Sequence, residues 1–219
     1  MTDPIIMLTK GDLTILDAVK VFYSIKDTGI SHIGFKDRGL PSEELKELAQ
    51  AIKKENIKIY FEIISHTKED TLQSAEKALE LEADYLIGGK HVQDVLPVVK
   101  NRIKYYPYAG RVVGHPCMLQ GEIEKIVDEA AEFMASGADG INLLAYRYQG
   151  DPEKLITALQ KVGLPLIVAG NIDSPERIRF LTRLNISAFT VGTAIFEKKF
   201  APGKTLQEQI EIVFKETGA

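Results

Sequence analysis

Short β-rich runs alternate with longer stretches of helical period from one end of this chain to the other, and no other feature restricts its fold so tightly. The β-rich runs fall at 5–8, 32–36, 57–65, 85–88, 104–109, 140–145, 164–169 and 188–192. Strands separated by helices pair in parallel, each helix serving as the crossover. Eight such units within 219 residues leave little room for insertions, and that count is the (β/α)8 TIM barrel, slightly below its usual length. An open doubly wound sheet uses the same units. No Gly-x-Gly-x-x-Gly follows the first strand, however, where "MLTKGD" stands, and a dinucleotide-binding fold is disfavoured. There is no linker, low-complexity segment or composition break, so residues 1–219 are expected to form one barrel domain.

The helices announce their own ends. Residues 40–56 open on Pro41-Ser42, place Glu43 and Glu44 in the first turn and close on lysines, matching the helix dipole at both ends. Stretches 66–84 and 121–139 repeat that design, and each ends in Ala-Asp just before the next strand.

Composition narrows the function classes. Charged residues make up 26% of the chain and the net charge is −4, so no nucleic-acid or anionic membrane partner is expected. No apolar run approaches the roughly 18 residues of a membrane span, and Met1-Thr2-Asp3-Pro4 lacks the start of a signal peptide, so a cytoplasmic location is expected. Cys117 is the single cysteine, which excludes an internal disulfide and a thiolate metal cluster and is more often inert filler than nucleophile. His66, His115 and Arg111 fall at or beyond strand ends without any metal-binding spacing. Neither a metal nor a cofactor is expected.

Parity along the strands sorts side chains between the barrel axis and the helices. In "IKIYFEIISH", Ile57, Ile59, Phe61 and Ile63 form an all-apolar face toward the helices, which turns Lys58, Tyr60, Glu62, Ile64 and His66 inward. In "HIGFKD", Ile33 and Phe35 face outward, and His32, Gly34 and Lys36 face the axis. Lys36 and Glu62 thereby become inward neighbours near the C-terminal ends of strands two and three, where the active sites of such barrels lie. A buried ion pair is often neutral or costly for stability, so a fold has little reason to keep one without a use. In "GINLLAYRY" the inward set is Asn142, Leu144 and Tyr146. Asn142 is placed either to orient a substrate hydroxyl or to satisfy its own core neighbours, while Arg147 in the following loop is expected to be solvated surface.

Strands seven and eight end on Gly170-Asn171 and Gly192-Thr193. Glycine there lets backbone N–H groups approach an anion closely, and "TAIFEKKF" has room for one short helical turn aimed at the same spot. "VAGNIDSPERI" followed by "FTVGTAIFE" resembles the paired phosphate motif of the ribulose-phosphate-binding barrel superfamily. That group includes ribulose-phosphate 3-epimerase, the histidine- and tryptophan-biosynthesis barrels and orotidine-phosphate decarboxylase. The resemblance covers the last quarter of the chain and implies that Gly170, Asn171, Gly192 and Thr193 line a phosphate pocket. Barrels of this sort commonly pair through outer helices, so the resemblance also admits a homodimer.

The catalytic strands depart from the patterns of those members. "HIGFKDRG" lacks the epimerase aspartates, no strand carries the decarboxylase Asp-x-Lys-x-x-Asp, and "MLTKGD" and "YYPYAGRVV" place neither acid of the Amadori isomerases clearly. From the residues themselves, a carboxylate facing an ammonium suits proton abstraction beside a carbonyl, with Glu62 as base and Lys36 stabilising the enolate. The expected activity is an isomerase or epimerase of a small phosphorylated sugar. Two alternatives stand beside it: an aldolase or lyase in which Lys36 forms a Schiff base, and a barrel that binds a phosphorylated metabolite without turning it over.

Overall fold

The computed structural model describes residues 2–65 and 67–218. Eight parallel strands form one sheet: β1 (Asp3–Met7), β2 (His32–Lys36), β3 (Lys58–Ile63), β4 (Tyr85–Gly88), β5 (Lys104–Tyr106), β6 (Ile141–Leu143), β7 (Leu166–Val168) and β8 (Ala188–Val191). They neighbour one another in the order β6-β7-β8-β1-β2-β3-β4-β5. The ends meet just past β5, where Tyr108 bridges Asn142 in parallel and the Asn142 N–H donates to the Pro107 carbonyl at 2.9 Å. The result is a (β/α)8 barrel.

The intervening helices are α1 (Ala18–Ile25), α2 (Ser42–Lys54), α3 (Lys68–Glu80), α4 (Val92–Val99), α5 (Ile123–Ser136), α6 (Pro152–Val162), α7 (Pro175–Arg183), the single turn α8 (Thr193–Phe196) and α9 (Leu206–Thr217). Four of their starts are capped by Thr67, Asp151, Ser174 and Thr205, whose side-chain oxygens accept from N–H groups of the first turns of α3, α6, α7 and α9. The repeated Ala-Asp has a structural use. Asp84 accepts from the N–H of Ile59 on β3, and Asp139 from that of Tyr105 on β5, each at 2.9 Å. Each helix exit is thus stapled to the base of the preceding strand.

Parity holds along β2 and β3. Ile33, Phe35, Ile59, Phe61 and Ile63 pack against the helices, while Ile5, Met7, Tyr60, Ile87, Ile167 and Ala188 form a separate cluster on the axis. Gly34 admits Met7 to that inner layer: a Cβ on it would sit 2.2 Å from the Met7 sulfur. Below, the rings of Tyr60 and Tyr85 stack 4.2 Å apart, and Tyr60 Oη lies 3.1 Å from His32 Nδ1. The barrel axis is therefore filled by packed side chains at this end.

Three strands stop two or three residues earlier than their sequences suggest. β3 ends at Ile63, so Ile64 joins the outer core rather than the axis. Pro107, which has no N–H to give a ladder, follows the end of β5. β6 ends at Leu143, and residues Ala145–Arg147 coil into a single 3-10 turn. Tyr146, expected inward, consequently leaves the axis and lies half-buried under the Arg177 guanidinium, 4.7 Å from its ring centre. Two loops at the strand C-termini carry small antiparallel hairpins, Thr9–Lys10 with Leu13–Thr14 after β1 and Arg111–Val113 with Met118–Gln120 after β5. Among the described residues no helix is long and apolar enough to cross a membrane.

Candidate active site

Lys36 and Glu62 are register partners on β2 and β3. Their side chains meet inside the barrel mouth, Nζ lying 3.2 Å from Oε2, with 7% and 3% of each residue exposed. Thr14 fixes the Lys36 backbone from above, accepting from its N–H at 2.8 Å and donating to its carbonyl at 3.0 Å.

A second carboxylate, not anticipated from the sequence, completes the cluster. The hairpin after β1 turns on Gly11 and Asp12, both with positive φ (57° and 64°), the backbone of a two-residue type I′ turn. That turn carries Asp12 over the mouth. One oxygen accepts from Lys36 Nζ at 2.9 Å; the other accepts from Arg147 Nη1 at 2.6 Å and the Cys117 N–H at 3.0 Å. Arg147 is therefore not the solvated surface residue expected. The 3-10 turn after β6 folds it back over the barrel, where its side chain is 13% exposed. Glu62, Lys36, Asp12 and Arg147 form a line of alternating charge that sums to zero, which offsets part of the cost of desolvating each member.

The neighbours fix the charge states. Burial alone would favour a neutral Lys36, but the carboxylates of Glu62 and Asp12 outweigh it and hold the group as an ammonium to higher pH than a free lysine. Burial likewise works against the Asp12 anion, yet the Arg147 hydrogen bond and the charges of Lys36 and Arg147 hold its carboxyl well below the usual range. Glu62 meets a single cation. Its other oxygen accepts from the Tyr108 hydroxyl at 2.6 Å and from Asn142 Nδ2 at 3.4 Å. Burial, followed by the Glu62 charge, pushes the Tyr108 phenol far up and keeps it a donor. Asn142 is fully buried behind Glu62, its Oδ1 without a hydrogen-bond partner among the described residues. Cys117 lies buried at the edge of this cluster, its thiol pushed up to about 11 by burial first and the Asp12 charge next, and so un-ionised.

The ends of β7 and β8 border the same cleft. Lys36, Glu62, Asp12, Arg147, Gly170, Asn171, Gly192 and Thr193 all line one cavity of about 110 Å³; Asn142 does not reach its wall. Both glycines are required by close approach. A Cβ on Gly170, which has φ +82°, would sit 2.8 Å from Arg147 Cγ, and one on Gly192 would sit 2.7 Å from Thr9 Oγ1. α8 starts at Thr193, whose hydroxyl accepts from the Gly11 N–H at 3.3 Å. In that turn the N–H groups of Ile195 and Phe196 donate back to the Gly192 carbonyl, at 2.9 and 3.5 Å, and those of Thr193 and Ala194 have no intrahelical acceptor. Asn171 Oδ1 accepts from Arg147 Nε at 3.4 Å, and its carbonyl accepts from Arg177.

Of the histidines and arginine considered from sequence, Arg111 and His115 are exposed on the second hairpin loop, and His66 lies outside the described residues. Among the described residues no group of three or more His, Cys, Asp or Glu side chains is arranged to hold a metal ion.

No protein-family model matches the sequence, and no curated protein matches it. Solved structures do resemble the fold. Orotidine 5'-phosphate decarboxylase from Pyrococcus horikoshii superposes with a TM-score of 0.69 at 14% identity, over 99% of this chain and 99% of the other. Phosphoribosylanthranilate isomerase from Thermotoga maritima gives 0.66 at 15% identity, over 100% and 99%. (S)-3-O-geranylgeranylglyceryl phosphate synthase from Thermoplasma acidophilum, solved with sn-glycerol-1-phosphate, gives 0.60 at 13% identity, over 99% and 93%. At these identities the likeness is one of fold, shared with barrels of the group that the strand-seven and strand-eight motifs resemble.

Proposed function

We propose that this barrel is an enzyme that binds a small phosphorylated sugar at the ends of β7 and β8 and moves a proton next to its carbonyl. The observation that carries this reading is the Lys36–Glu62 contact of 3.2 Å inside a cleft whose wall also includes Gly170, Asn171, Gly192 and Thr193. Three fold relatives are named for phosphorylated compounds, which supports a phosphate ester as the ligand class.

The two carboxylates have different parts in this scheme. Asp12 accepts from two cations and a backbone N–H, which leaves it a poor proton acceptor. Glu62 is held by two neutral donors on one oxygen and shares the other with Lys36, so a lone pair on that oxygen remains for the substrate. Glu62 takes the proton from the carbon beside the carbonyl, and Lys36 donates a hydrogen bond to the oxygen that becomes negative. Returning the proton to the former carbonyl carbon, while the hydroxyl proton of its neighbour passes to the old carbonyl oxygen, isomerises the sugar; a proton delivered from solvent to the opposite face of the same carbon epimerises it.

A Schiff-base aldolase needs Lys36 as a free amine, and the pair of carboxylates around it favours the ammonium instead. Borohydride reduction with a panel of sugar phosphates separates the two chemistries. Proton transfer leaves no substrate mass on Lys36, whereas a reduced adduct there would replace this proposal with the lyase. A ligand retained without turnover would point to the binding protein.

A further inference from the structure

Arg147 touches both halves of the cleft. Its Nη1 donates to Asp12 at 2.6 Å and to the Cys117 carbonyl at 3.4 Å, while its Nε donates to Asn171 Oδ1 at 3.4 Å. Its Cγ lies against the Cα of Gly170, where a Cβ would not fit. The remaining terminal nitrogen, Nη2, donates to no described residue, although Arg147 lines the cavity.

A phosphate monoester brings about −1.5 to −2 charges into a cleft that already holds Asp12 and Glu62. Backbone N–H groups at the two loops supply hydrogen bonds but no full charge. Lys36 is committed to the two carboxylates, and Lys199, the other lysine on the cavity wall, keeps 53% of its side chain in solvent. Arg177 also donates to the β7 loop but does not line the cavity, whereas Arg147 does, and a guanidinium edge matches phosphate oxygens in shape as well as charge.

We propose that Arg147 is the cation of the phosphate subsite, meeting phosphate oxygens with the edge of the guanidinium that the protein leaves free, and that through Asp12 it links phosphate occupancy to Lys36. The proposal rests on the phosphate reading above. A phosphate on one edge and Asp12 on the other share a single guanidinium, so filling the subsite alters how tightly Asp12 holds Lys36, and the coupling is reciprocal.

The test is a titration of the full chain, labelled with ¹⁵N-lysine and ¹⁵N-arginine, with inorganic phosphate. Binding is followed calorimetrically, and the Arg147 and Lys36 side-chain nitrogens by NMR. In the wild type, phosphate is expected to slow exchange of the Arg147 Nη protons and to move the Lys36 Nζ signal. Arg147→Met is expected to weaken phosphate at least about tenfold and to abolish the Lys36 response, with Arg147→Lys intermediate. Phosphate binding within about twofold of wild type in Arg147→Met, or a Lys36 signal that ignores phosphate in the wild type, would overturn the inference and leave the phosphate site standing. A wild type that binds no phosphate would remove the site itself and the inference with it. If Arg147→Met does not fold, the wild-type spectra and Arg147→Lys decide.

Discussion

Lys36 Nζ and Glu62 Oε2 face each other at 3.2 Å across the register pair that joins β2 to β3. Since Asp12 holds the same ammonium at 2.9 Å, removing Lys36 leaves Glu62 without its cation and Asp12 with Arg147 alone. Lys36→Met is expected to cost about 3–5 kcal/mol, read as a lowered urea midpoint at unchanged slope. The Lys36→Met, Asp12→Asn double variant should recover at least about 0.5 kcal/mol of the sum of the single losses. Strict additivity would mean that the pair is not energetically coupled.

The charge states give the cluster a pH signature. Asp12 titrates below its ordinary 3.8 in the fold, so its contribution is full above that value and fades as pH falls through the folded one. Lys36 titrates above 10.5, so its contribution is full below that value and fades as pH rises further. The stability gap between wild type and Asp12→Asn should therefore be constant from about pH 5 to 9 and narrow in acid. On the basic side, the gap to Lys36→Met should narrow only above about pH 10.5. Chemical denaturation across pH measures both; a Lys36→Met gap already closing at about pH 8 would show that the lysine is not held as an ammonium.

Gly192 and Gly170 test the loop geometry. In Gly192→Ala the new methyl meets Thr9 Oγ1 at 2.7 Å and both Met7 Cβ and the Thr9 carbonyl at 3.0 Å; in Gly170→Ala it meets Arg147 at a φ of +82°. Each is expected to cost about 1–3 kcal/mol and to weaken inorganic phosphate. A phosphate titration by calorimetry beside a urea melt checks both effects. Unchanged affinity in both variants would place the anion elsewhere.

Cys117 is expected to behave as packing. Its thiol is buried and pushed up to about 11, so iodoacetamide at about pH 8 should modify the native chain far more slowly than the unfolded one. Cys117→Ser should retain turnover. Rapid native alkylation with loss of activity would make the thiol a participant.

Much of the frame was legible because period-two parity and crossover spacing are local signals. Lys36 and Glu62 emerged from them because one face of β3 is wholly apolar. Glycines at the ends of β7 and β8 were legible as well, although close packing against Arg147 and Thr9 was not. Asp12 and Arg147 were missed for a common reason: each sits on a loop, and their meeting spans 135 positions of sequence, a distance no local pattern encodes. Only the turn dipeptide in "TKGDLT", framed by Thr9 and Thr14, hinted that Asp12 sits in a hairpin turn. Tyr108 was hidden by Pro107, which stops β5 before the residue that turns in to meet Glu62.

The central claim is that Glu62 moves a proton beside a carbonyl of a phosphorylated sugar. A panel of aldose and ketose phosphates incubated with the protein in D2O, read by proton NMR, tests it directly. Wild type is expected to place solvent deuterium on the carbon adjacent to the carbonyl of at least one member. Glu62→Gln should slow that exchange by at least about 10²-fold, and Asp12→Asn should do so less. Exchange unaffected by Glu62→Gln, or turnover of a sugar phosphate with no deuterium at that carbon, would contradict it.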